Sequence, residues 1–154
     1  MRCVDMLLEK GLSVGGIATP EIREHGRRVG FYVLDLGRNK KTVLAGVEVN
    51  SKFRIGKYRV DIEGFNSIAL PALDYAENHA DIICIDELGP MELFSEQFRL
   101  RVEELFSSQK VVITVLHRRL VKRYSEIGKI FHVSSNNRSN LPIIIVEHIT
   151  NFYV

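Results

Sequence analysis

An α/β layer fold with a largely parallel sheet is predicted by three features of the 154-residue sequence. The runs DIICID (81–86) and VVITVL (111–116) show no polar alternation, which suits strands covered on both faces. Segments with helical spacing of apolar residues lie before and after the first of these runs. Through the second half, strand and helix alternate, which is how parallel sheets acquire their crossovers. The length fits one domain, 1–154, large enough to bury a core.

From the amino end, Met1, Val4, Leu7 and Leu8 share a helical face over 1–10, and Gly11 ends that helix. LSVGGIAT (12–19) reads as a short strand, closed by Pro20 and the polar piece EIREHGRR. VGFYVLDL (29–36) and TVLAGVEV (42–49) read as two strands joined by a turn at GRNKK, giving a β-hairpin insertion. Tyr58 to Ile62 adds a short strand, and Ile68, Ala72, Leu73 and Ala76 mark a helix over 64–79.

DIICID is the next strand. Ser95 caps a helix to Ser107, with Phe98, Val102, Leu105 and Phe106 inward and Arg99, Arg101, Glu103 and Glu104 outward. VVITVL comes after it as a strand, 118–127 as a basic amphipathic helix, 129–134 as a third strand and NNRSN as a loop. LPIIIVEHITNFYV admits a strand by its β-branched run or a helix by the Asn140-Leu141-Pro142 start; the cap pattern favours the helix.

Composition narrows the classes. With 45% hydrophobic and 26% charged residues, disorder is not indicated. A formal charge of +2 is too small to argue for nucleic acid or an anionic membrane, since a binding face needs clustered cations. HRRLVKRY (117–124) is a basic run, but its Leu120, Val121 and Tyr124 favour a solvated helix face over nucleic-acid binding. Cys3 and Cys84 are too far apart in sequence for a zinc motif, and His25, His79, His117, His132 and His148 lack paired ligand spacing. No apolar run is long enough to span a membrane, and Asp5 and Glu9 break any signal-peptide pattern, so a reducing, cytoplasmic compartment is expected.

The sharpest signal is DIICIDELGPMELFS (81–95). An apolar strand ends in two adjacent acids, Asp86 and Glu87, at the carboxyl end where parallel sheets bind ligands. Four apolar residues before Asp-Glu have the form of a Walker B segment, in which the first acid holds Mg²⁺ and the second orients or deprotonates a water. The pattern also fits two acids that merely end a strand and cap the turn after it.

Longer words decide between these. DELGPMELFS, with TPEIR (Thr19 to Arg23), VGF (Val29 to Phe31) and NR (Asn137–Arg138), resembles the THEP-type, or cancer-related, nucleoside-triphosphatases from about residue 1 to 150. The resemblance implies a three-layer RecA-like P-loop domain that hydrolyses ATP, GTP and other nucleoside triphosphates with Mg²⁺. Carried over by position, Ile83, Cys84 and Ile85 form the strand of the nucleotide site, Asp86 takes the metal, Glu87 activates water, and Leu88 and Gly89 form the turn. Thr114 is the γ-phosphate-sensing polar residue, or a hydroxyl satisfied within its strand. Arg23 and Arg138 are candidate phosphate or base contacts, or surface ion pairs.

One departure is large. The family's phosphate cradle is G-x-x-x-x-G-K-[ST], and residues 1–154 contain none. Gly56-Lys57 and Gly128-Lys129 precede Tyr58 and Ile130, with Ser51 and Arg123 where the first Gly belongs. The helix after the cradle in the family corresponds to MRCVDMLLEKG, so the expectation is a member lacking its first strand and P-loop, through an internal start or a deletion, and impaired in nucleotide binding. Three functional classes result: a nucleoside-triphosphate hydrolase, favoured by Glu87; a nucleotide or small-molecule kinase; and a catalytically silent binding module. The oligomeric state is not encoded legibly.

Overall fold

The computed structural model describes residues 1–153. Helix α1 (Arg2–Glu9) leads to strand β1 (Val14–Ala18), then β2 (Glu21–Glu24), β3 (Arg27–Asp35), β4 (Lys41–Gly46), β5 (Arg54–Ile55) and β6 (Tyr58–Val60). Helix α2 (Ile62–His79), strand β7 (Ile82–Leu88), helix α3 (Glu96–Phe106), strand β8 (Val111–Leu116), the one-turn α4 (Val121–Tyr124) and helix α5 (Leu141–Thr150) complete the order. The eight strands make one mixed sheet, β5-β6-β4-β3-β1-β7-β8, with β2 beside β3. Strands β1, β7 and β8 are parallel, and the other pairs are antiparallel.

The three layers arise from alternation along the strands. On β7, Ile83 and Ile85 enter a core shared with Phe65, Leu73, Phe98 and Leu105 of α2 and α3. Ile82 and Cys84 point the other way, against Val4 and Leu7 of α1 and Val146 and Ile149 of α5. Side-chain caps start the larger helices: Asp61 accepts from Gly64 N–H at 2.9 Å, and Ser95 from Phe98 N–H at 3.1 Å. Arg101 ties α3 to α2, its guanidinium meeting Asp74 at 2.8 Å and also Glu77. Gly11 has φ +82 just beyond α1, the left-handed conformation that stops a helix.

Three sequence expectations are revised. The polar piece EIREHGRR is the β2–β3 hairpin; His25 (φ 48) and Gly26 (φ 77) make a turn with both central residues left-handed, which matches strand twist. The basic helix expected over 118–127 is a 3-10 turn at Arg118–Leu120 and then α4, anchored by buried Tyr124. The third strand expected over 129–134 is absent. Its apolar residues favour extension, but a strand needs a neighbour to pair with, and the sheet stops at β8. As the terminal strand, β8 is only partly covered, and Val115 is 51% exposed. The carboxyl-terminal segment is helical as the Asn140-Leu141-Pro142 pattern favours.

Candidate active site at the carboxyl ends of the parallel strands

Strand β7 delivers both acids to the rim of the sheet. Ile83, Cys84 and Ile85 are buried, so they support the site from below rather than line it; burial lifts the Cys84 thiol to about 12, leaving it inert. Asp86 and Glu87, joined by a cis peptide bond, are half-exposed; Leu88, expected in the turn, still belongs to β7 because it pairs with Leu116 of β8, and the chain bends only from Gly89. Leu88 is fully buried, and its carbonyl accepts from His117 N–H at 3.0 Å.

The Asp86–Glu87 step is clamped from β1. Thr19, just past that strand, donates its N–H to the Asp86 carbonyl at 2.6 Å, and its hydroxyl donates to the same oxygen at 3.1 Å. The same hydroxyl accepts from Glu87 N–H at 3.3 Å. The clamp holds the backbone and leaves the Glu87 carboxylate without an ion pair among the described residues, while the Asp86 carboxylate pairs with the Met1 ammonium. Asp86 Oδ2 lies 3.7 Å from the Met1 nitrogen, so the amino end of α1 stands directly over it.

A third acid lies beneath. Glu92 is 4% exposed, and its carboxylate accepts from Gly89 N–H at 3.1 Å. Burial raises its pKa to about 7, with the negative charge of Glu87 adding to the shift and the Gly89 amide opposing it. Gly89 separates the two acids: a Cβ there would sit 2.7 Å from Glu87 Oε1 and 3.1 Å from Glu92 Oε2. Sequence reasoning passed over Glu92, although an acid inside the otherwise apolar ME-L-F stretch, three residues after a turn glycine, is the available signal. It also assigned Thr19 only to a family word, because a clamp between distant strands has no local signature.

The remaining candidates scatter. Thr114 lies on β8 one register step before the Asp86–Val115 pair, and its hydroxyl donates to the Ile85 carbonyl at 2.9 Å. Arg23 is held by Glu21 at 2.7 Å and by the Gly26 carbonyl. Arg138 is exposed in the turn before α5. A surface depression of about 450 Å³ lined by Phe106, Arg123, Tyr124 and Ile127 lies away from the acids.

The sequence matches the family described as NTPase over residues 1–146. The chain belongs to this nucleoside-triphosphatase family. Among its relatives, Nucleoside-triphosphatase THEP1 of Methanocaldococcus jannaschii is 39% identical over 141 residues, 92% of this chain and 82% of the relative. The Pyrococcus abyssi THEP1 is 40% identical over 140 residues, 91% and 78% of the two chains. Solved family structures superpose closely: the human cancer-related nucleoside triphosphatase with a TM-score of 0.81 at 30% identity, covering 97% of this chain and 88% of that one. THEP1 of Aquifex aeolicus gives 0.79 at 26%, covering 96% and 90%. The α/β layering of the NTPase family is thus reproduced here. No helix among the described residues is long and apolar enough to cross a membrane.

Proposed function

We propose that the chain is a nucleoside-triphosphate hydrolase acting on ATP and GTP with Mg²⁺, in the cytoplasm, with Glu87 as the water-activating base and Asp86 as the metal ligand. The observation that carries this reading is the pair of half-exposed carboxylates on a clamped backbone at the carboxyl end of a parallel strand.

The donor set suits the ion. Among the described residues, no group of three or more His, Cys, Asp or Glu is arranged around a common centre. A lone carboxylate matches Mg²⁺, which keeps several waters and takes further oxygens from phosphates. When bound, Mg²⁺ supplies charge neutralisation to the β- and γ-phosphate oxygens. Asp86 holds its carboxylate toward the amino end of α1, where a triphosphate would lie, and Glu87 accepts the proton of a water placed beside it. Thr19 fixes the step between them, so the two acids keep their separation as charge develops. Arg23 would reach phosphate or base only after leaving Glu21 and the Gly26 carbonyl, and the exposed Arg138 is the second candidate.

We further propose that residues 1–154 alone bind nucleotide weakly, because the amide cradle and its lysine are not among them. The unpaired side of β8 and the placement of α1 over Asp86 favour a first strand and phosphate loop entering ahead of α1. The test is phosphate release from ATP and GTP, with and without Mg²⁺ and without an acceptor. It compares residues 1–154 with a chain carrying a family strand and G-x-x-x-x-G-K-[ST] loop before Met1. Release of diphosphate and phosphate by the extended chain, abolished in Glu87→Gln, supports hydrolysis. Phosphate appearing on an added acceptor would establish the kinase alternative, and inactivity of both chains the silent module.

A further inference from the structure

The net charge of the chain averages two unlike parts. Residues 21–60, which contain β2 to β6, hold ten Lys and Arg against four Asp and Glu, and the rest of the chain holds eleven against fifteen. The formal +2 therefore conceals a cationic antiparallel wing beside an acidic remainder. Pairing differs as well. On α3, Arg99 and Arg101 are each engaged by two or more carboxylates. In the wing, Arg23, Arg28 and Arg38 are paired, but Lys41, Lys52, Arg54, Lys57 and Arg59 meet no carboxylate among the described residues.

Register gathers part of this charge on one face. Arg54 and Arg59 are direct cross-strand partners, and like charges placed so repel. Arg59 pairs with Gly46, and Gly46 with Gly30, but both glycines are buried, Val49 lies over Gly46, and a bulge follows between Phe31 and Tyr32, so Arg54 and Arg59 form one end of the wing and Tyr32 with Lys41 the other. Two residues along β3 from Gly30 the same face presents Tyr32 opposite Val43 and then Leu34 opposite Lys41, and the Lys41 ammonium stands 4.6 Å from the Tyr32 ring centre. Helix α2 covers the reverse side through Val33 and Leu44, while α1 and α5 lie over β1, β7 and β8. Tyr32, Leu34 and Val43 are left half-exposed. The row Lys41, Leu34, Ala18, Asp86 is continuous in register, so this face runs to the acids about 14 Å away at ordinary strand spacing.

We propose that the open face of the wing binds single-stranded nucleic acid, with Lys41, Arg54 and Arg59 on phosphates and the Tyr32 ring under a base. Arginines held only by backbone carbonyls, at Ser51 and Gly56, and a half-exposed aromatic ring beside Lys41 supply the two elements of such binding: backbone neutralisation and base stacking. A single strand fits because an aromatic ring on a sheet face stacks only on a base free of a duplex, and here the base would take the place of the Lys41 ammonium over Tyr32 as that ammonium turns to phosphate. This inference is independent of the hydrolase reading.

The test is fluorescence anisotropy of a labelled, mixed-sequence DNA strand of about 20 nucleotides, titrated with residues 1–154 over a range of salt. Binding is expected at low salt, with log affinity falling linearly in log salt. Arg54→Gln with Arg59→Gln should weaken it about tenfold or more and flatten the salt slope by about 1 to 2. The double variant relieves repulsion but gives up bonds to the Ser51 and Gly56 carbonyls, so its melting temperature should stay near the parent's, and the melting curve of each variant separates lost binding from misfolding. Tyr32→Ala should cost about tenfold, and Lys122→Glu, in the competing HRRLVKRY run, nothing. The proposal is overturned by absence of binding at low salt, by indifference to Tyr32→Ala, by an equal loss in Lys122→Glu, or by tighter capture on phosphatidylserine vesicles than on the strand.

Discussion

The Gly89 amide donates to the buried carboxylate of Glu92 from inside the turn that presents Glu87 to solvent. The turn is therefore built on an acid that water does not reach, and its protonation is linked to folding. Burial raises the folded pKa to about 7 from an ordinary value of 4.5, so the folded state binds more protons than the unfolded one between those limits. Stability contributed by the neutral form is present below about pH 4.5 and is lost as pH rises toward 7. Urea unfolding at pH 5 and pH 7.5 should show this decline, up to about 3 kcal/mol, and Glu92→Gln should flatten it. An unchanged slope in the variant would remove Glu92 as its source.

Glu87→Gln keeps the shape of the side chain and removes the base. In the chain extended by a phosphate loop, turnover should fall by about two orders of magnitude or more while nucleotide affinity is retained. Steady-state phosphate release and equilibrium nucleotide binding measure the two separately. Equal turnover would exclude Glu87 from proton transfer.

Asp86→Asn should instead raise the Mg²⁺ concentration needed for half-maximal turnover, because a carboxamide is a poorer ligand than a carboxylate. A metal titration of both proteins reads this directly, and coincident curves would place the ligand elsewhere.

Gly89→Ala tests whether the two acids must be kept apart. The added methyl would meet Glu87 Oε1 and Glu92 Oε2, which are flexible side-chain ends, so the fold should survive while the acids shift. The expected result is a melting temperature near that of the parent with turnover reduced about tenfold or more. Gly16→Ala is the contrasting case. Its φ of +108 and the Cys84 backbone beneath it leave no space on the central strands, so a loss of about 3 kcal/mol or more in denaturant unfolding is expected.

The sequence made the framework legible where patterns are local. DIICID and VVITVL identified the parallel strands through their lack of polar alternation, and Ser95 marked a helix start that its hydroxyl indeed caps. Asp86 and Glu87 were readable because a short apolar run points to the carboxyl-terminal part of a parallel strand, although β7 itself runs on to Leu88. The features that escaped depend on distant partners. The segment 129–134 has the composition of a strand but no neighbour beside it, Thr19 clamps a residue 67 positions away, and Glu92 is distinctive only once its burial is known. Arg23 looked available for phosphate because sequence does not show that Glu21, two residues before it on the same strand, already engages it.

The bridging guanidinium of Arg101 has a consequence for how the molecule comes apart. It fastens α2 and α3 into one plate over a core of nineteen buried residues, whereas α1 and α5 share a core of seven. A sandwich gripped so unequally loosens first on its thinner side. Amide exchange and limited proteolysis should reach α5 well before α3, and early heating should lift the covering from β7, the very strand that carries Cys84 and Asp86.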